Sequence, residues 1–202
     1  MDSNDKMTKG TLTEKKIYET ARSLFEELGV DQISVDHIVQ KAGVSKGTFY
    51  IHYPSKWSLL AEYLGSLDVN YEEYFNSIPE NTSAAAMIDL VTRKIALVLV
   101  NEIGYHFLRH AYAAMLLGEL NSEDILNYSR KLPVIYKDMI AKGICTGEFR
   151  SSTDADHLTR EIMGTIRGTT FEWCVSACGF SLEEELLKHN QLLTKSLKTQ
   201  EL

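Results

Sequence analysis

Residues 34–56 read Ser34-Val-Asp-His-Ile-Val-Gln-Lys-Ala-Gly-Val-Ser-Lys-Gly-Thr-Phe-Tyr-Ile-His-Tyr-Pro-Ser-Lys56. This stretch constrains the fold more than any other. It specifies two very short helices joined by a glycine turn, the shape that places a helix in the major groove of DNA. The first helix is expected over Val35–Ala42, with Ser34 as N-cap. Val35, Ile38, Val39 and Ala42 follow the i, i+3, i+4, i+7 spacing of one buried stripe. Gly43 stands where the chain must reverse, and glycine reaches positive φ there at no steric cost. Val44 is an apolar plug in the turn. Ser45 caps the second helix, and Lys46, Gly47 and Thr48 form its first turn, the end that approaches base edges in such motifs. Phe49 ties that helix to the core beneath it.

Tyr50, His52 and Lys56 present hydrogen-bond donors at spacings suited to phosphate oxygens. Lys56 opens a further helix capped by Ser55, so its cation and the exposed amides of that helix would act on one phosphate. On the residues alone, a partly buried ring for Tyr50 and a solvated imidazole for His52 stay open as alternatives.

Residues 13–60 resemble the DNA-binding domain of the TetR family of bacterial transcriptional repressors. The first helix carries Ile17, Ala21, Leu24 and Phe25 and then Gly29, as that family does, and the stretch from Ser34 to Lys56 follows its pattern. Tyr53 in place of the usual phenylalanine and an uncommon Pro54 are the departures. The resemblance implies that Lys46 and Thr48 read base edges, with Gly47 allowing close approach. It implies that Tyr50, His52 and Lys56 hold phosphates and that Ser34 and Ser45 add contacts at their helix starts. Lysine pairs well with guanine acceptors, so a guanine in each half-site is expected. The implied fold is all-α, with about nine helices. A three-helix helix-turn-helix domain would span 1–56 and a helical effector-binding and dimerisation domain 57–202. The implied protein is cytoplasmic. It binds a palindromic double-stranded operator as a homodimer and is released by a small-molecule effector.

Composition fits a packed helical chain. Of 202 residues, 44% are hydrophobic, and only three are proline. The formal net charge of −7 is awkward for a DNA binder, but it is unevenly placed. Residues 1–60 hold 8 Lys and Arg against 8 Asp and Glu, whereas residues 61–202 hold 13 against 20. Lys41, Lys46 and Lys56 outweigh Asp36 across 34–60, and Lys6, Lys9, Lys15 and Lys16 add a basic patch near the first helix. The body is acidic and the reading surface locally basic.

Cys145, Cys174 and Cys178 form no Cys-x-x-Cys pair, so zinc-ribbon and thioredoxin-like chemistry find no support. Cys174 and Cys178 share one helical face, as buried thiols or as a redox sensor. No apolar run approaches a membrane span. There is no phosphate loop, no Gly-x-Ser-x-Gly elbow and no paired metal motif, so neither an enzyme nor a cofactor is expected.

Beyond the reading head, a long helix is expected from Lys56 past Tyr63 toward Phe75, broken by Ile78–Ser83. Ala84 to about Glu102 is apolar on most sides and belongs inside a bundle. Gly104 separates it from a helix over Tyr105 to Leu117. One helix is expected from Asn121 or Ser122 through Met139 to about Cys145, kinked by Pro133. Asp154 to Ala177 and Leu182 to Leu197 complete the chain, with Ser181 and Glu184 as a capping box.

On the last two helices, Gly164, Thr165 and Gly168 make a flat strip and Leu186 and Leu193 supply apolar area. They serve either a two-fold dimer interface, as the resemblance implies, or the subunit's own core. Tyr71, Phe75, Met87, Phe107, His110, Met115, Tyr136, Met139 and Trp173 are candidate lining of an effector pocket, each also readable as plain core. His106 and His110 share a face, but further ligands are missing and no metal is expected.

Overall fold

The computed structural model describes residues 9–28, 32–118, 120 and 123–198. The expected basic Lys6, the glycine at 29 and the helix start at 121 or 122 lie outside them. Every element among the described residues is helical apart from one isolated bridge, Phe149 to Lys198.

The first helix, α1 (Lys9–Leu28), turns Ile17, Ala21, Leu24 and Phe25 inward, each at most 1% exposed. α2 (Val35–Ala42) follows, its first turn closed by the Ser34 hydroxyl, which accepts the His37 amide at 3.2 Å. Gly43 adopts φ 63°, the left-handed conformation that ends α2, and its amide bonds back into the last turn. Val44 packs half-buried in the turn. α3 (Lys46–His52) crosses over it, and α4 (Lys56–Ser77) runs away from the head. Leu59 and Tyr63 of α4 close the head's core, where the Tyr63 ring meets Phe25 edge-on at 5.3 Å. α4 therefore starts inside the reading head and ends in the body, which it joins by packing on a later helix, α8 (Lys131–Cys145).

In the body, α5 (Ala84–Leu97) lies against α8 and against the last helix, α10 (Leu182–Leu197). Its N-terminus has two caps. Ser83 accepts the Ala86 amide, and the Glu148 carboxylate, far along the chain, accepts the Ala84 and Ala85 amides at 2.6 and 3.1 Å. The helix expected to reach Glu102 widens instead into a π-helical segment, Val98–Ile103, which Gly104 ends at φ 85°. The i→i+5 pattern aligns residues five apart, so Val98 and Ile103 are both buried, at 1% and 2% exposure. Regular α-geometry would turn one of them away.

α6 (Tyr105–Leu116) packs on α9 (Ala155–Val175). The single helix expected to end near Cys145 is two: α7 (Glu123–Leu126) and α8. The Asn127 side chain accepts the Ser129 amide at 2.8 Å, an Asx turn that ends α7. Pro133 then falls in the first turn of α8, where its missing amide has no intrahelical partner to lose, so it starts a helix rather than kinking one. The capping box expected at α10 is half made, with the Ser181 hydroxyl taking the Glu184 amide. A reciprocal box forms at α4 between Ser55 and Ser58, which a search for glutamate at the third position overlooks.

Candidate nucleic-acid interface and ligand cavity

α3 is a stub with two unlike sides. Phe49 is fully buried, and Tyr53, just beyond the helix, stacks against it at 5.8 Å. The other side presents Lys46, Gly47, Tyr50 and Ile51 to solvent, with Ile51 81% exposed. Ser45 holds the first turn by accepting the Thr48 amide at 3.0 Å, and its hydroxyl also lies 2.8 Å from that of Thr48. A Cβ on Gly47 would meet only the Ser45 hydroxyl, at 3.7 Å. The chain itself leaves room for a side chain there, so what Gly47 keeps clear is the outward side. Tyr50, half exposed, sets its ring edge-on to Phe49 at 5.4 Å; His52 and Lys56 are half-buried.

The charge on this face is more balanced than a count of lysines suggests. Asp36 of α2 lies 2.6 Å from the Lys46 ammonium, and that contact raises the lysine's pKa. Lys41 pairs with Glu27 at 3.2 Å. Composition had registered Asp36 only as one negative charge. It stands in the first turn of α2, about two turns before the glycine, and meets the start of α3 only through the way the two helices cross.

The body encloses a cavity of about 360 Å³ between α4, α5 with its π segment, α6, α8 and α9, within the size range of small-molecule sites. Tyr71, Phe107 and Met115 line it, as do Leu99 and Ile103 of the π segment. That segment also packs against α1, so one element touches both the cavity and the reading head. Met163, Ile166 and Tyr112 complete much of the apolar wall; Leu116 and Leu126, 78% and 52% exposed, lie where it opens. Among the described residues, Arg130 and Arg167 are its charged ones.

On the outer side of α9, Gly164, Gly168, Phe171 and Val175 repeat at four, three and four residues and so share one face. All four are exposed, and nothing lies within 4 Å of a Cβ built on either glycine.

Residues 17–63 match the model of the bacterial regulatory proteins, tetR family. Residues 17–63 are thus similar to the DNA-binding domain of TetR-family regulators. One relative, the Bacillus subtilis regulator YuxN, is 43% identical over 65 residues, 32% of this chain but only 21% of that protein. Another, the fatty acid metabolism regulator protein of B. subtilis, is 27% identical over 172 residues, 80% of this chain and 83% of that one. Thermus thermophilus FadR, a TetR-family repressor solved with lauroyl-CoA, superposes with a TM-score of 0.70 over 94% of this chain and 97% of its own, at 20% identity.

In the body, six of the nine residues named as candidate lining stand away from the cavity. Tyr136 and Met139 are fully buried in the bundle, and Met87 nearly so. Tyr136 shares a 2.6 Å hydroxyl contact with Thr92, which in turn accepts from Asn190 at 2.7 Å, a buried polar tie between α5, α8 and α10. Trp173 packs edge-on against Tyr105, and Phe75 lies half-buried on the core. His110 is exposed, its Nδ1 2.6 Å from the His106 carbonyl one turn earlier, so that imidazole is engaged by its own helix. The periodicity found apolar faces but could not tell which of them meet a void. Arg130 and Arg167 escaped notice because one precedes α8 and the other lies within α9, far apart in sequence.

On the proposed assembly face, Leu186 is 1% exposed and sits inside its own protomer's core, and Leu193 packs half-buried against it; Thr165 is half-buried. Burial pushes the Cys174 thiol up to about 11 and raises that of Cys178, which makes both poor nucleophiles at neutral pH. No helix among the described residues is long and apolar enough to cross a membrane.

Proposed function

We propose that the protein is a ligand-released repressor acting as a homodimer. Two copies of α3 enter successive major grooves of a palindromic operator, and an effector in the body cavity changes their spacing. One observation carries this reading. An outward-facing α3 anchored by Phe49 is joined, through α1 and the π segment, to walls of an apolar cavity. Lys46 and Thr48 take the base-reading role, with Gly47 giving clearance. Ser34, Ser45, Tyr50, His52 and Lys56 take the phosphates. The head is residues 1–56, with α4 as the rod between head and body. A single seven-residue α3 offers few base contacts, which is the physical reason for two-fold symmetry.

The relatives bear on the effector. One regulates fatty acid metabolism, and another carries lauroyl-CoA. An acyl chain suits a cavity walled by leucine, isoleucine, methionine and phenylalanine. An effector shifts the head only through its different affinity for the two states, so operator DNA and effector must each weaken the other by the same factor. The test is retention of a duplex from the protein's own upstream DNA, measured with and without lauroyl-CoA. Lost affinity on adding the acyl-CoA is the expected result. No affinity for any duplex overturns the reading, and binding that no acyl ligand alters reduces it to a constitutive DNA-binding dimer.

A further inference from the structure

Ile51 is the most exposed of the large hydrophobic side chains among the described residues, at 81%. It lies on α3, whose Phe49 is fully buried. A helix turns about 100° per residue, so Gly47 and Ile51, two residues to either side of Phe49, each lie about 160° round from it. They stand i and i+4 on one face. The line from Gly47 to Ile51 is therefore the part of α3 farthest from the core. Gly47 leaves that line bare, and Ile51, one turn on, projects from it. Tyr50 flanks the line on one side and Thr48 on the other, with Lys46 at its start.

Apolar residues set singly on a surface are ordinary. This one differs in what it is and where it stands. A position that met only water would favour lysine, glutamate or glutamine, which are better helix formers than isoleucine, above all in a helix too short to be stable alone. Isoleucine is also stiff. Branching at Cβ leaves it one strongly preferred χ1 rotamer in a helix, so docking it costs little side-chain entropy. Its polar neighbours already have partners within the protein. Lys46 lies 2.6 Å from Asp36, and the Thr48 hydroxyl lies 2.8 Å from that of Ser45. Ile51 can meet a ligand without giving up any such bond. A stiff apolar knob rimmed by hydrogen-bonding side chains fits a surface where an apolar group is set among acceptors. The major groove is such a surface, and the one apolar group that the four base pairs show there is the C5-methyl of thymine.

We propose that Ile51 is a specificity residue that reads a thymine in each half-site by packing on its C5-methyl, beside the polar contacts of Lys46 and Thr48. This rests on the reading of α3 as the helix that enters the groove.

The test begins with selection of duplexes from random DNA by the full-length protein. The enriched sequence is then made with deoxyuridine in place of each thymine in turn, which removes only the methyl, and affinity is read by fluorescence anisotropy. At one thymine per half-site the exchange should weaken binding about fourfold, the scale of one buried methyl group. Ile51→Ala should bind the thymine and deoxyuridine duplexes alike at that position, whereas Ile51→Val, which keeps a branched apolar end, should retain the difference. Circular dichroism should show unchanged helical content in both variants, because the atoms removed are mostly in water. A methyl preference that survives Ile51→Ala, or a selected sequence in which no deoxyuridine exchange weakens binding, overturns the role of Ile51 and leaves α3 as the reading helix. A changed oligomeric state of Ile51→Ala in sedimentation, with the selected sequence unaltered, also overturns it and gives Ile51 to a protein contact. If the parent protein enriches no sequence at all, both readings fall.

Discussion

At α3, residue chemistry sets a contest between two ion pairs. Lys46 can face a guanine or Asp36, and in the free protein Asp36 has it at 2.6 Å. Both side chains are largely exposed, so the pair adds little to stability. Its consequence is for binding. A carboxylate at the start of α2, beside α3, repels every duplex equally and restrains the lysine proposed to distinguish among them. Asp36→Asn should therefore raise affinity for arbitrary duplex DNA and steepen the salt dependence, read as the slope of log affinity against log salt. Lys46→Ala should cost about 1–3 kcal/mol of discrimination at one base position, and selection from random DNA checks it. An unchanged selected motif would remove Lys46 from base reading. The motif was legible from sequence because caps, glycine and apolar spacing all act within a few residues. The Lys46–Asp36 pair escaped it because it depends on how α2 and α3 cross.

Asp89 is a second residue where environment outweighs identity. One carboxylate oxygen is buried without a hydrogen-bond partner, and burial raises the pKa against the opposing pull of Asn190 and Arg93. A folded-state pKa above the unfolded one means that the stability contribution is present below the unfolded value and is lost as pH rises through the folded value. Asp89→Asn cannot titrate. Its stability relative to the parent chain should rise between acidic and neutral pH, measured by urea unfolding across that range. A difference that stays flat with pH would show the carboxyl to be solvated.

Among whole elements, contacts distant in sequence decided what local pattern could not. α9 and α10 were legible near their ends, and α8 at its C-terminal end, because Asp154, Ser181 and the apolar repeats are local signals. The split between α7 and α8 was missed because Pro133 was read as a mid-helix residue, when the Asx turn at Asn127 makes it a first-turn one. The π segment was missed because its composition is that of any apolar helix. Helix packing also explains Gly143, which no turn requires. A Cβ there would stand 2.3 Å from the Phe149 ring and 2.9 Å from the Ala84 side chain. Phe149 is itself buried and donates its amide to the Gly143 carbonyl at 2.9 Å, so the ring has little room to retreat. Gly143→Ala should destabilise the protein by about 1–3 kcal/mol through overpacking, despite alanine's better helix propensity. Chemical unfolding measures it. A stabilised variant would mean that α8 can shift outward from Phe149.

As the proposed homodimer, the molecule holds two reading heads at one spacing, and we assign that demand to the outer face of α9. Gly164 and Gly168 are open, Phe171 is 41% exposed, Val175 is 70% exposed, and Leu192 of α10 is 68% exposed. Small residues beside large exposed apolar ones allow another helix to approach closely and give it area to bury. Val175→Asp touches neither the cavity wall nor the buried tie through Tyr136, so the protomer's own packing should survive it. In a dimer joined by this face, each aspartate would enter an apolar contact without a partner. Sedimentation should then show dissociation to monomers at micromolar concentration, with helical content kept. Operator affinity should fall far more than affinity for a single half-site, because one head no longer raises the local concentration of the other. A variant that stays dimeric and binds the full operator as before would place the two-fold axis on another face. It would also detach the exposed strip on α9 from the spacing of the heads.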